Sequence, residues 1–139
     1  MADNNQVQLK IFDKKYIKSI EGYTEILLKK DGIYYTIMVN RTRAGVVGYI
    51  PAKTYGRGFV QIVIEPKFRG KGILKIAEDM LAKKHELDRL YATIKKTNTR
   101  SIKAHLKAGF KKFSKRKLDL LRKEDLLKKE DIRLVKEYK

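Results

Sequence analysis

The chain has no cysteine and only two prolines in 139 residues. Without cysteine there is no disulfide framework and no thiolate metal site, and no metal is expected. No run of about 18 apolar residues occurs, and the first six residues, Met-Ala-Asp-Asn-Asn-Gln, are polar. Neither a transmembrane helix nor a secretory signal is therefore expected, and a cytoplasmic protein is the default. No internal repeat is present, and the prolines and nine glycines mark no linker. The length fits one domain, residues 1–139, able to bury a core without staples.

Acidic residues are also scarce: 16 Asp and Glu face 34 Lys and Arg, for a formal charge of +18. A field of that size attracts polyanions, nucleic acid above all, and acidic protein surfaces. The densest stretch is Lys111-Lys112-Phe113-Ser114-Lys115-Arg116-Lys117. A solvated lysine surface that aids solubility is the plainer reading of the same numbers.

What is present reads as alternating strands and helices. Val7 to Phe12 alternates with the period of a half-buried strand. Asp13 can cap a short helix over 14–20. Asp31-Gly32 between Glu25–Lys30 and Ile33–Val39 predicts a hairpin. Ala44–Ile50 follows as a third strand, and Phe59–Ile64 as a fourth after a loop over 53–58. From Ile73 the apolar residues Leu74, Ile76, Ala77, Met80, Leu81 and Leu87 recur at helical spacing, with Lys75, Glu78, Asp79, Lys83 and Lys84 on the outer face. Leu90–Ile94 is the next strand. Asn98 or Thr99 can cap a helix over 100–108 that Gly109 ends. Leu118–Lys129 suggests a further helix, and Ile132–Tyr138 a closing strand.

The stretch 60–76 organises the rest. It is an apolar strand, a proline, a basic glycine loop and the start of an amphipathic helix. That order makes a phosphate site: glycine lets the backbone approach, and the first free N–H groups of the helix point at the anion. Lys67, Arg69 and Lys71 add positive charge.

Two segments carry a resemblance to a known family. Ile64-Glu65-Pro66-Lys67-Phe68-Arg69-Gly70-Lys71-Gly72-Ile73 is similar to the acyl-CoA pyrophosphate loop, Gln/Arg-x-x-Gly-x-Gly/Ala, of the GCN5-related N-acetyltransferases (the GNAT superfamily). Asn98 to Phe110 is similar to that family's Asn…Ser/Ala…Tyr…Gly-Phe motif along the pantetheine arm. Together they span roughly residues 60–110. The resemblance implies an α/β (α+β) fold, a mixed, mostly antiparallel sheet split to form an acyl-CoA cleft, with helices on its faces. It implies an N-acetyltransferase that uses acetyl-CoA as co-substrate. An amine acceptor, a protein or peptide amine before a small molecule, would attack directly in a ternary complex. The alternative is a non-catalytic module on the same fold that binds nucleic acid or a ribonucleoprotein through its basic face.

It further implies roles for residues. Backbone groups of Ile62, Val63 and Ile64 would meet the pantetheine, one N–H near Ile62 or Val63 polarising the thioester carbonyl. Lys67 and the Arg69, Gly70, Lys71, Gly72, Ile73 and Leu74 stretch would hold the pyrophosphate. Asn98 and Ser101 would border the pantetheine arm.

The chain departs from the pattern in three places. Lys67 stands where Gln or Arg is usual; read from Arg69 instead, the pattern ends on Leu74 rather than Gly or Ala. His105 stands at the tyrosine proposed as general acid, and either donates that proton or lines the cleft. Thr93 stands where some relatives carry a glutamate base, which leaves Glu65 or a water-mediated base. His85, near a helix end, reads as a surface histidine. Tyr49, Tyr55 and Tyr91 are candidates for the acceptor side. Residues 13–28 leave room for one short helix, which predicts an open acceptor face.

Overall fold

The computed structural model describes residues 6–139, so the first five residues of the expected domain lie outside the description. Strands β1 (Val7–Ile11), β2 (Ile33–Val39), β3 (Thr42–Pro51) and β4 (Arg57–Ile64) form an antiparallel meander. Helix α2 (Ile73–Lys84) crosses to β5 (Arg89–Lys95), which lies parallel to β4. Helix α3 (Thr99–Lys107), a two-residue strand β6 (Lys111–Lys112), helix α4 (Lys115–Lys123) and β7 (Asp131–Glu137) complete the chain. A single helical turn, α1 (Lys14–Ile17), follows β1. The sheet order is β1-β2-β3-β4-β5-β7-β6. This is the mixed, mostly antiparallel sheet expected.

The local signals act where they were read. Asp13 accepts from the amides of Lys15 and Tyr16 and starts α1. Asn98 accepts from the Ser101 amide at 3.2 Å and starts α3. Gly109 takes φ 101° behind it.

One face of the sheet carries the main core. Ile73, Ala77 and Leu81 of α2 pack there with Val47, Val60 and Ile64, and Ile102 and Phe110 lie in the same cluster as Leu90, Ala92 and Leu134. On the other face Tyr16, Ile17, Ile20 and Ile26 pack with Val46 and Val63, and the partly buried Phe12 and Tyr34 lie against them.

The hairpin expected at Asp31-Gly32 does not form. Residues 26–32 are irregular, Tyr23–Glu25 is a 3-10 turn, and β2 pairs with β1 instead. The physical reason is the segment's pattern. Only Ile26 of its apolar residues is buried, while Leu27 and Leu28 remain exposed. It has no continuous face to bury, whereas β1 fills that edge of β2 over five residues. The tight hairpin is the next one, where Asn40 adopts φ 56° between Val39 and Thr42.

Helix α4 also differs from the expected 118–129. Ser114 accepts from the Lys117 amide at 3.2 Å and starts it early, and Asp125 at φ 60° follows its end. The stretch 111–112, read only as basic, is the edge strand. Helix α1 ends at Ile17, and Leu87 is buried beyond the end of α2.

Candidate active site

Strands β4 and β5 pair only at Arg57–Arg89, Gly58–Leu90 and Phe59–Tyr91. Beyond these residues they part, and the gap is the cleft. The antiparallel ladder fixes which β4 groups face it. The Glu65 amide donates to Ala44 O at 2.8 Å and the Ala52 amide to Arg57 O at 2.9 Å. With the continuous β3–β4 register, the odd-numbered β4 residues bond to β3. The even-numbered ones turn their N–H and C=O the other way. Ile62 and Ile64 therefore present backbone groups to the cleft. Val63, expected among these contacts, spends its backbone on Val46, which corrects that expectation. The Ile64 carbonyl is taken by Arg69 Nε at 2.9 Å, leaving its amide.

The loop after β4 is shaped by two left-handed glycines, Gly70 at φ 75° and Gly72 at φ 81°. No heavy atom lies within 4 Å of a Cβ built at either position. Glycine is required there by conformation, not by space. No side chain caps α2, and its first helical bond is Ile76 N to Gly72 O at 3.3 Å. The N–H groups before it have no intrahelical acceptor and aim out of the helix start. Lys67 and Lys71 are exposed, with ammonium groups 5.4 and 5.7 Å from the Phe68 ring. Arg69 has a different job from theirs. Its guanidinium ties the loop to Ile64 O and, at 3.2 Å, to Glu21 O. Leu74 packs against the main core, and Ile73 is buried beside it.

Across the gap, Asn98 caps α3 with its oxygen and donates Nδ2 to Glu25 Oε1 at 3.4 Å. Arg100 reaches the same carboxylate oxygen at 3.1 Å. Glu25 sits on the 3-10 turn beside β4, so its carboxylate spans the cleft mouth. Sequence reading missed this contact, whose partners are 73 and 75 residues apart.

His105 is 3% exposed. Its Nδ1 is 2.9 Å from Ser101 O and its Nε2 2.8 Å from Glu78 Oε2. Both partners are acceptors, which suits an imidazolium donating at both ends. Burial alone would lower its pKa, but the Glu78 carboxylate and the Ser101 carbonyl outweigh this and raise it. Both ring nitrogens are committed within the fold, so no free proton donor of His105 faces the cleft in this arrangement. Glu78, expected on the outer face of α2, is fully buried because His105 meets it there.

Glu65 accepts from Tyr16 Oη at 3.2 Å on the α1 side of the β4 end. Burial, and then the Glu65 charge, hold the Tyr16 hydroxyl protonated. Thr93 is exposed and accepts from Arg133 Nε at 3.2 Å, so an arginine stands beside it. His85 is not a plain surface residue. Its Nε2 lies 2.7 Å from Tyr35 Oη and its ring stands edge-on to Tyr49. Of the three candidate tyrosines, Tyr49 is buried among the core residues packed with α2. Tyr55 is exposed in the β3–β4 turn, away from the splayed end. Only Tyr91 stands on the open face at the start of the splay.

The family model of the acetyltransferase (GNAT) domain matches residues 9–111. The chain belongs to the GNAT acetyltransferases. A comparison with curated proteins gave no match. Among solved structures, this GNAT chain is similar to the Campylobacter jejuni N-acetyltransferase PseH in complex with acetyl coenzyme A, at 13% identity and TM-score 0.66. That match covers 96% of this chain and 99% of that one. It is similar to a Vibrio cholerae spermidine N-acetyltransferase SpeG variant at 13% identity and TM-score 0.67, covering 96% and 94%. It is also similar to RimL, a ribosomal L7/L12 alpha-N-protein acetyltransferase in complex with coenzyme A, at 10% identity and TM-score 0.64, covering 95% and 94%. No helix among the described residues is long and apolar enough to cross a membrane.

Proposed function

We propose that the chain transfers an acetyl group from acetyl-CoA to an amine of a protein or peptide, both substrates being held together. The observation that carries this is the splay after Phe59 and Tyr91, with unpartnered strand amides on one side and an uncapped helix start at its end. The residues present fit such a donor: residues 66–74 contain no carboxylate, and two exposed lysines stand there, Lys67 before the glycines and Lys71 between them. Bound there, acetyl-CoA supplies an activated thioester. The Ile62 N–H stabilises charge developing on the thioester oxygen. The amides from Gly70 to Leu74, with Lys67 and Lys71, hold the pyrophosphate, while Asn98 and Ser101 border the pantetheine arm. Proximity supplies much of the rate, and no protein nucleophile or metal is needed. Glu65, or water ordered near it, takes the amine proton.

The acceptor class rests on two features. Residues 13–28 form one helical turn and one 3-10 turn, which builds no deep pocket. The relatives above act on spermidine in one case and a protein N-terminus in another, so the fold alone does not choose. Arg57, Arg133 and Arg89 on the open side of β4, β5 and β7 disfavour a polycation. The test is calorimetry with acetyl-CoA followed by thiol release with a peptide acceptor. Binding and thiol release are expected. No binding at millimolar acetyl-CoA would sink the reading. The net charge of +18 favours a second reading, a basic module whose partner is nucleic acid. Oligonucleotide binding without thiol release from any amine would select it.

A further inference from the structure

The sheet face opposite α2 is covered by side chains of residues 16–26 near Val46, Val63 and Tyr34. Farther along it, alternate residues of β5 are buried on the core side and partly or fully exposed on this one. Three half-exposed rings form a row across the strands. The Phe59 and Tyr91 centroids are 5.4 Å apart, and Tyr91 and Phe113 6.2 Å. Cations lie over one face of the Phe59 and Phe113 rings, and another bonds the Tyr91 hydroxyl. The Arg133 guanidinium lies 5.0 Å from the Phe59 centroid, Arg57 donates to Tyr91 Oη at 3.4 Å, and the Lys117 ammonium lies 5.5 Å from the Phe113 centroid. The row continues into the exposed Lys111, Lys115 and Arg116, whereas Lys112 pairs with the core-side Leu134 and lies on the other face. Two nearby carboxylates, Glu137 and Asp119, are engaged by Arg89 and Arg122 at 3.8 and 3.6 Å.

We propose that this face, from Phe59 through Tyr91 and Phe113 to the start of α4, binds single-stranded nucleic acid. A basic surface alone would suit any polyanion. A row of aromatic rings inside it adds what unpaired bases need, flat apolar faces to stack on, with guanidinium and ammonium groups at phosphate distance. A duplex keeps its bases stacked internally and cannot use the rings. An acidic peptide has charge but no planar groups to stack. The face begins at Phe59 and Tyr91, where β4 and β5 part, so a bound strand lies beside the closed end of the cleft. The proposal rests on the second reading's charge and not on acetyl transfer, which calorimetry with acetyl-CoA and thiol release read separately.

The test is fluorescence anisotropy of the full chain with a labelled oligouridine of about a dozen nucleotides. Affinity is expected to fall at least about tenfold between about 50 and about 200 mM salt. Arg116→Glu with Lys117→Glu is expected to weaken binding about tenfold or more. Lys83→Glu with Lys107→Glu, the same charge change on exposed positions of α2 and α3, is expected to change it by less than about threefold. Phe113→Leu keeps the bulk but removes the ring. It is expected to weaken binding about fivefold while leaving the salt dependence unchanged. Thermal unfolding verifies each variant's fold. Equal losses in the two charge variants would overturn the proposal. So would a duplex or a poly-glutamate competing as well as the single strand.

Discussion

Nε2 of His105 lies 2.8 Å from Oε2 of Glu78, and both side chains are buried, at 3% and 1% exposure. The contact joins α3, whose start carries Asn98, to α2, whose start carries the glycine loop. It therefore fixes the two walls of the cleft relative to each other. Glu78→Ala is expected to destabilise the protein by roughly 3–5 kcal/mol, because it leaves a buried histidine without its partner. His105→Phe combined with Glu78→Leu is expected to recover much of that loss, since an apolar pair of similar bulk suits the site. Urea denaturation of the single and double variants reads both outcomes.

The same pair predicts a pH signature. The folded pKa of His105 is raised above its ordinary value, so the folded state binds the proton more tightly than the unfolded chain. Its contribution to stability is complete below about pH 6.5, the unfolded value, and is lost as pH rises through the raised folded value. His85 shifts the other way, lowered by burial and by Lys84. With only two histidines in the chain, an NMR titration resolves both. His85 is expected to lose its proton first as pH rises, and the reverse order would refute the assignment. In His105→Phe the loss of stability above about pH 6.5 is expected to shrink.

The sequence made some of this legible. Caps such as Asp13 and Asn98 are local chemistry, and each was readable within four residues. So was the glycine loop, whose two positive-φ positions are both glycines. Glu78 was not readable. A carboxylate on an amphipathic helix reads as solvent-facing, and only a histidine 27 residues on reverses that. The Asp31-Gly32 turn failed for a related reason. The dipeptide favours a hairpin, but its outcome depends on which strand reaches the β2 edge, and β1 does. The row of Phe59, Tyr91 and Phe113 gathers residues from three segments, so no window of sequence contains it.

Gly72 offers a test of the anion site that leaves its charges alone. Its φ of 81° is strained for any other residue, yet a Cβ there meets nothing within 4 Å. Gly72→Ala is expected to cost about 1–2 kcal/mol of stability from backbone strain. It is also expected to weaken acetyl-CoA by turning the first α2 amides. Gly72→Asn should fall between the two, because asparagine tolerates left-handed backbone better than alanine. The checks are the melting temperature and the calorimetric affinity for acetyl-CoA. An order other than Gly, Asn, Ala would show that the loop conformation is not what holds the donor.

Glu25 spans the mouth that the pantetheine arm would enter. Its carboxylate holds Asn98 Nδ2 at 3.4 Å and Arg100 at 3.1 Å. The Glu25 and Arg100 side chains are 36% and 52% exposed, so the pair contributes little stability and is screened by salt. What it does constrain is Asn98, whose amide is occupied until Glu25 releases it. Glu25→Ala is therefore expected to leave the melting temperature within about a degree or two of the parent, as an exposed pair should. Its affinity for acetyl-CoA should rise a few-fold, with the gain concentrated in the association rate. In the parent protein moderate salt should produce part of the same rise by loosening the contact, whereas in Glu25→Ala salt should only weaken binding of the anionic donor. Stopped-flow binding across a salt series separates the two. If the variant and the parent share one salt dependence, Glu25 does not compete for Asn98, and entry to the cleft is governed elsewhere.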